Sequence, residues 1–213
     1  MTSQHGTNHD TTNHDTTLAF GLRSSGQVLV HTRFGRFAIQ AFVDEFGHTH
    51  LALWRGIITD VNGPPLVRLQ SACVTSTALN LSLCDCADQL TAAFVQIEAE
   101  DRGVILYLDQ EGRGHGLFEK VVTMAAMVGG ATTVSAFTNR GLPADVRSFG
   151  AAIAMLDALG VGPTVRLLTN NPAKIKAVCD GGRKVDRISL WIEPTETTRR
   201  YLECKRADLG HLE

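Results

Sequence analysis

Residues 104–128 read VILYLDQEGRGHGLFEKVVTMAAMV. A short apolar strand former, VILYL, runs into a turn with glycines at 112, 114 and 116, and a stretch of helical spacing follows. A strand handed through a glycine turn to a helix is the repeating unit of an α/β layer. Toward the C-terminus, TTVSAF (132–137) reads as a strand and DVRSFGAAIAMLDALG (145–160) as an amphipathic helix stopped by Gly160. TVRLLT (164–169) reads as a strand, NNPAKIKAVCDGG (170–182) as a helix, and RRYLECKRADLGHLE (199–213) as a terminal helix with Gly210 near its end. Toward the N-terminus, ADQLTAAFVQIEAED (87–101) has helical spacing. QVLVHTRFG, RFAIQAFVDEFG and HTHLALWRGII are β-branched, aromatic and punctuated by glycine, so the region from about 18 to 72 reads as antiparallel strands. The expected fold class is mixed α/β (α+β): an N-terminal antiparallel β region, then alternating strands and helices with some parallel pairing.

The 213 residues and a hydrophobic fraction of 44% suffice for one sizeable core, so residues 18–213 are expected to form a single domain. Residues 1–17, MTSQHGTNHDTTNHDTT, repeat NHDTT and bury little apolar surface, so a disordered polar tail is expected. His5, His9 and His14 lie there, and solvated side chains describe them better than a metal site. A net charge of −2 gives no basic field for a nucleic-acid partner. No apolar run approaches the roughly 18 residues of a membrane span, and the start lacks a signal peptide's pattern. Cytoplasm is the expected compartment. Thiols stay reduced there, and the five cysteines are an odd number, so disulfides are disfavoured.

Cys73, Cys84 and Cys86 form C-x(10)-C-x-C. Core packing of small residues is one reading. The other is a metal, with three protein thiolates and water in an open fourth position. The spacing favours the metal. In DQEGRGHGLFEK (109–120), the glycine turn would present backbone N–H groups to an anion, Arg113 a bidentate grip and Glu111 an acceptor. An ordinary tight connection has the same glycines. In LLTNNPAKIKAV (167–178), Asn171 reads as an N-cap and Pro172 as a first-turn proline, with Thr169 and Lys174 beside a helix start suited to phosphate. Asp145 and Arg147 in PADVRSF read either as an N-cap and a surface charge or as an acid/base residue and its charged partner.

Together these segments resemble the GTP cyclohydrolase II family from about residue 28 to 212. The resemblance runs through TRFGRF, CDCADQL, YLDQEGRGHGL with EK, ADVRSF, RLLTNNPAKI and YLECKRADLGHL. It implies that Cys73, Cys84 and Cys86 hold zinc, whose bound water attacks guanine C8. It further implies that Asp145 is the acid/base residue and that Arg147 is the nucleophile on the α-phosphate, releasing pyrophosphate. Arg68, Gln89, Glu111, Arg113, Thr133, Thr169 and Lys174 fall at nucleotide-contact positions. Magnesium and a homodimer are implied as well.

The chain departs from the family at RLQSACVTST (68–77), where Gln70 replaces a histidine, Ala72 a glutamate, Ser76 a glycine and Thr77 an aspartate. Leu83 stands for an arginine, Met124 for a tyrosine, and SAF and RGL replace E-A-N and L-G-F. Met124 keeps an apolar surface against a base and removes a hydroxyl that could move a proton. Expelling formate after ring opening needs a second hydrolysis with its own proton transfer. The expectation is a zinc hydrolase that opens GTP, or a close purine nucleotide, and stops at the formamidopyrimidine. A ring-opening hydrolase on another purine or pyrimidine and a nucleotide-binding regulator with structural zinc are the alternatives. The H-x-E and P-C-x-x-C signatures of zinc nucleobase deaminases are absent.

Overall fold

The computed structural model describes residues 16, 17, 21–59, 61–193, 198, 199, 203, 206, 207 and 210–212. The polar tail expected over 1–17 lies outside the described residues apart from Thr16–Thr17. So do His5, His9, His14 and much of the helix expected over 199–213. Residues 199, 203, 206 and 207 of that stretch are helical.

Among the described residues, nine strands share one sheet. Its first half is antiparallel: β1 (Thr16–Thr17), β2 (Arg23–Ser24), β3 (Val28–Thr32), β4 (Gly35–Val43) and β5 (Thr49–Arg55). The second half comprises β6 (Leu66–Ser71), β7 (Gly103–Leu108), β8 (Thr164–Leu168) and β9 (Lys184–Ile188), paired in parallel in the order β7-β6-β8-β9. The halves join where β5 runs antiparallel to β7, and β3 pairs with β4 off the main path. The mixed α/β expectation holds.

The helices are α1 (Val74–Thr77), α2 (Cys86–Ala99), α3 (Gly116–Val128), α4 (Thr133–Thr138), α5 (Gly150–Ala158) and α6 (Pro172–Asp180). The period-two alternation of β6 divides its side chains between two cores. Val67 and Leu69 join Ala152, Met155 and Leu156 of α5 and Val178 of α6. Leu66 joins Ala93 and Ile97 of α2 on the opposite face, against Leu90 and Phe94. Leu90, Ala93, Phe94 and Ile97 follow helical spacing, which is why α2 buries one stripe. The same alternation sends Arg68 and Gln70 to the α2 face. Among the described residues, no helix is long and apolar enough to cross a membrane.

Three expectations are corrected. β6 falls in the stretch to residue 72 read as antiparallel strands, yet it pairs in parallel with β7 and β8. TTVSAF is not a strand: Thr133–Thr138 form α4, with the Thr132 hydroxyl accepting from the Ser135 N–H at 3.0 Å. Its β-branched residues suggested a strand, but the segment packs on α3, and an N-cap serine or threonine outweighs weak intrinsic preference. The helix expected from Asp145 begins only at Gly150. Asp145 does not cap it; its carboxylate turns to the Arg147 backbone N–H at 3.1 Å, which keeps residues 143–149 out of the helix. The Asn171 cap is as expected, accepting from the Ala173 N–H at 2.9 Å with Pro172 in the first turn. The sequence reading left β9 and α1 without an assignment.

Candidate active site

The C-terminal ends of β6 and β7 face the start of α2, and the three cysteines meet there. Cys73 follows β6 and Cys86 opens α2, so the short α1 and the turn after it bring Cys84 round to both. Their sulfur atoms lie within 4.8 Å of one another, with Cys73 Sγ and Cys84 Sγ 3.5 Å apart. None of the three is in a disulfide. Hydrogen bonds from Cys84 and Cys86, and then the Lys120 ammonium, hold the Cys73 thiol far below its usual range despite burial. The bond to Cys73 pushes the Cys84 thiol up. Three sulfurs within coordinating reach of one another, one of them beside an ammonium that favours its charged form, are a donor set that fits zinc. Among the described residues, no other group of three or more His, Cys, Asp or Glu converges in this way.

Lys120, from α3, braces the cluster. Its ammonium donates to Cys73 Sγ at 2.9 Å and to Glu111 Oε1 at 2.7 Å. Burial disfavours its charge, but Cys73 and Glu111 outweigh that and raise its pKa above the ordinary lysine range. Glu111 also accepts from the backbone N–H of Val74 at 2.6 Å and of Gly112 at 3.1 Å. Its carboxylate therefore ties the turn after β7 to the cysteine cluster.

That turn, Glu111–Gly114, is a 3-10 turn in which Gly112 and Arg113 both have positive φ, 58° and 59°. A non-glycine residue held there is strained, a feature concentrated at functional sites. A Cβ on Gly114 would sit 2.9 Å from Val146 Cγ2 and 3.3 Å from the Arg147 nitrogen, so only glycine lets the loop of residues 143–149 pack this closely. Further bonds hold the loop: the Val146 N–H to the Arg113 carbonyl, Gln110 to the Ser148 carbonyl, and His115 against the Pro143 carbonyl. Behind the turn, buried His50 accepts the Asp109 N–H at 3.0 Å on Nδ1 and contacts Asp44 at 3.2 Å through Nε2. The backbone donor makes Nδ1 the acceptor, so Nε2 carries the proton.

The loop presents Asp145 and Arg147 as a forked pair, with Nε to Oδ1 at 2.9 Å and Nη2 to Oδ2 at 2.5 Å. Burial raises the Asp145 carboxyl, but Arg147 more than offsets this and leaves it below the ordinary carboxylate value. Arg147 also reaches Ser71 Oγ at the end of β6, at 3.4 Å.

The floor beside them is cationic. Arg68 donates to Gln70 Oε1 at 3.0 and 2.7 Å, to Gln89 Oε1 at 2.6 Å and to the Leu168 carbonyl at 3.0 Å. Burial lowers its pKa to about 10, yet it remains charged at neutral pH. Gln70, at the family's histidine position, is therefore what orients Arg68. Lys174 Nζ donates to the Leu69 carbonyl at 2.7 Å, and the Thr169 hydroxyl accepts from the Asn171 N–H at 3.1 Å. Two further substitutions also have structural roles. Ser76 Oγ accepts the Ala87 N–H at the start of α2, and the Thr77 hydroxyl turns back to the Cys73 carbonyl.

Two lobes make up the cavity. The cysteine lobe is lined by Cys73, Cys84, Glu111, Lys120, Met124, Met127, Thr133 and Phe137. The cationic lobe is lined by Arg68, Gln89, Thr169, Lys174, Trp191 and Arg206, with Asp85 as its acid. Ser71, Cys86, Arg113 and Arg147 line both. The site residues named from the sequence all line these two adjoining lobes except Asp145, which lines neither and meets them through Arg147. Lys120, Ser71 and Trp191 were not singled out from the sequence, and Gln70 was noted only as a departure from the family pattern. Lys120, Met124 and Met127 lie at i, i+4 and i+7 on α3, a spacing that could have revealed Lys120.

The family model described as GTP cyclohydrolase II matches residues 23–188. A GTP cyclohydrolase-2 of Neisseria meningitidis serogroup A is 42% identical over 182 residues, covering 85% of this chain and 91% of that protein. One of Pseudomonas putida is 44% identical over 183 residues, covering 85% and 88%. A solved structure titled as RibBX, a two-domain 3,4-dihydroxy-2-butanone 4-phosphate synthase from A. baumannii, superposes with a TM-score of 0.46 at 17% identity. That superposition covers 80% of this chain and 41% of that one.

Proposed function

Since this chain belongs to the GTP cyclohydrolase II family, we propose that it opens the imidazole ring of GTP at C8, releases pyrophosphate and stops at the formamidopyrimidine nucleotide. The observation that carries this reading is the position of Cys86 and Arg147, which line both lobes of one cavity. A nucleotide spanning the two lobes has its base at the thiols, its α-phosphate at Arg147 and its outer phosphates over Arg68, Thr169 and Lys174.

Cys73, Cys84 and Cys86 would hold zinc, which supplies the Lewis acidity that activates water for attack on the ring. Lys120 restrains Cys73 and stabilises its charge. Asp145, ionised and in two-point contact with Arg147, accepts the proton that the guanidinium loses when its nitrogen bonds to phosphorus and the P–O bond to pyrophosphate breaks. Water then cleaves the N–P bond, giving hydroxyl to phosphorus and hydrogen to nitrogen, and Asp145 returns its proton to the guanidine, which frees the nucleotide as its monophosphate. Magnesium would be carried by the substrate's own phosphates, since Ala72 and Thr77 offer it no carboxylate and Asp85 is, among the described residues, the one acid lining the cationic lobe. Met124 lines the base side with a thioether where the family's tyrosine would offer a hydroxyl. That loss is our reason for placing the end of the reaction before formate release.

The enzyme is read as cytoplasmic and homodimeric. In support of the dimer, α3 exposes Leu117, Phe118, Val121 and Val128 at 44%, 76%, 52% and 72%, an apolar face suited to a second copy. The test incubates zinc-loaded protein with GTP and magnesium and follows nucleotide mass, pyrophosphate and formate together. A ring-opened product that keeps its formyl group is expected. Formate released in step with GTP loss would overturn the early stop. No turnover would favour another ring substrate or a binding regulator.

A further inference from the structure

Asn170 joins three stretches of chain at the outer end of the cationic lobe. Its side-chain oxygen accepts the Leu190 N–H at 3.1 Å, and its amide donates to the Leu190 carbonyl at 3.1 Å. Its own carbonyl accepts the Leu212 N–H at 2.8 Å. Leu190, just after β9, and Leu212, near the C-terminus, are therefore both anchored to the loop between β8 and α6. Where they meet, the Arg206 guanidinium lies over the Trp191 ring, 5.2 Å from its centroid. Trp191, Arg206 and His211 line the lobe alongside Thr169 and Lys174. All three lie beyond the residues matched by the family model.

We propose that Arg206, carried on the face of Trp191, and His211 form the outer wall of the substrate cleft and grip the two phosphates that leave as pyrophosphate. The proposal rests on the GTP reading above. The buried cations supply field to this lobe, but their geometry is committed to the protein. Arg68 is bound to Gln70, Gln89 and the Leu168 carbonyl, and Lys174 donates to the Leu69 carbonyl. If the α-phosphate sits at Arg147, the next two phosphates extend toward the rim, where a second planar donor fork is wanted. A guanidinium suits that role because it can meet two phosphate oxygens at once. Stacking on an indole limits the side chain's freedom before substrate arrives, so less entropy is lost on binding.

The test uses the full, zinc-loaded chain. Calorimetric titration with inorganic pyrophosphate and magnesium is compared for the unaltered protein, Arg206→Ala and Arg206→Lys, with steady-state kinetics on GTP alongside. For Arg206→Ala, pyrophosphate affinity should fall and KM for GTP should rise, each roughly tenfold, the size expected of a hydrogen bond between charged groups, while kcat stays within about twofold. Arg206→Lys should recover part of the loss. Trp191→Ala, which removes the platform and leaves the guanidinium, should give a smaller loss of the same sign. Unchanged pyrophosphate affinity in Arg206→Ala, or no pyrophosphate binding by the unaltered chain, would overturn the proposal. Pyrophosphate binding is read without turnover, so a chain that binds it through Arg206 but leaves GTP intact would overturn only the GTP reading.

Discussion

The antiparallel and parallel halves of the sheet use the same strand geometry but differ in what their polar residues mean. In β3, Val28 and Leu29 stand 56% and 61% exposed, and His31 also faces outward. Val28 and Leu29 point to opposite faces of the sheet, so this end of β3 is open to water on both sides and its composition carries no functional message. In β6, every residue from Leu66 to Gln70 is buried, Arg68 and Gln70 included. A charge in such a strand is costly unless every donor is met. The fork of Arg68 is met by two glutamines and a carbonyl, and its strand ends at the cavity. Buried polar residues in the parallel half mark the site, while exposed ones in the antiparallel half mark only solvent.

The strongest attempt to break this contrast is Asp145→Asn. The structure ties Asp145 to Arg147 at the junction of the two lobes. Loss of its proton-accepting role should cut turnover by about 10²–10⁴-fold, with nucleotide binding retained in a titration. Retained turnover would remove the junction's special status. The pH dependence has a definite sign. Because Asp145 is depressed, its ion pair contributes in full at neutral pH and fades as pH falls through the lowered value. The stability difference between Asp145→Asn and the unaltered chain should therefore narrow only at acid pH, as followed by thermal melts.

A smaller effect is expected from Lys120→Met. The variant keeps the three thiols but removes the cation beside Cys73. Zinc affinity, read by competition with a chelating dye, should fall by roughly 10–100-fold. The smallest effect compares the two halves directly. Gln70→Leu strips two hydrogen bonds from buried Arg68 and should cost about 1–3 kcal/mol in chemical denaturation. Val28→Thr on the open strand should stay within about 0.5 kcal/mol. Equal costs would mean that the buried arginine has found other partners.

Much of this was legible along the chain. The strand–turn–helix at 104–128, the Asn171 cap and the cysteine spacing are local patterns, set by residues within a few positions of one another. The failures were local patterns overruled from a distance. TTVSAF has strand-like residues, yet the Thr132 cap and packing on α3 made it helical. The Asp145 segment looked like a helix start, yet its carboxylate was needed by Arg147 and its backbone lies against Gly114. β9 lies in a polar segment with only two apolar residues, Val185 and Ile188, and is a strand because β8 offers it an edge.

The sequence by itself determined the α/β class and the spacing of the three thiols, which depend on residue type and short spacing, while Arg68, Gln89 and Thr133 were reached only through the family resemblance. Only the tertiary structure decided that Lys120 braces Cys73, that Gln89 reaches Arg68, and that Asn170 holds Leu190 and Leu212 at the cleft. Those relations join residues far apart in the chain, and no local rule carries such a pairing until the sheet has brought the strand ends together.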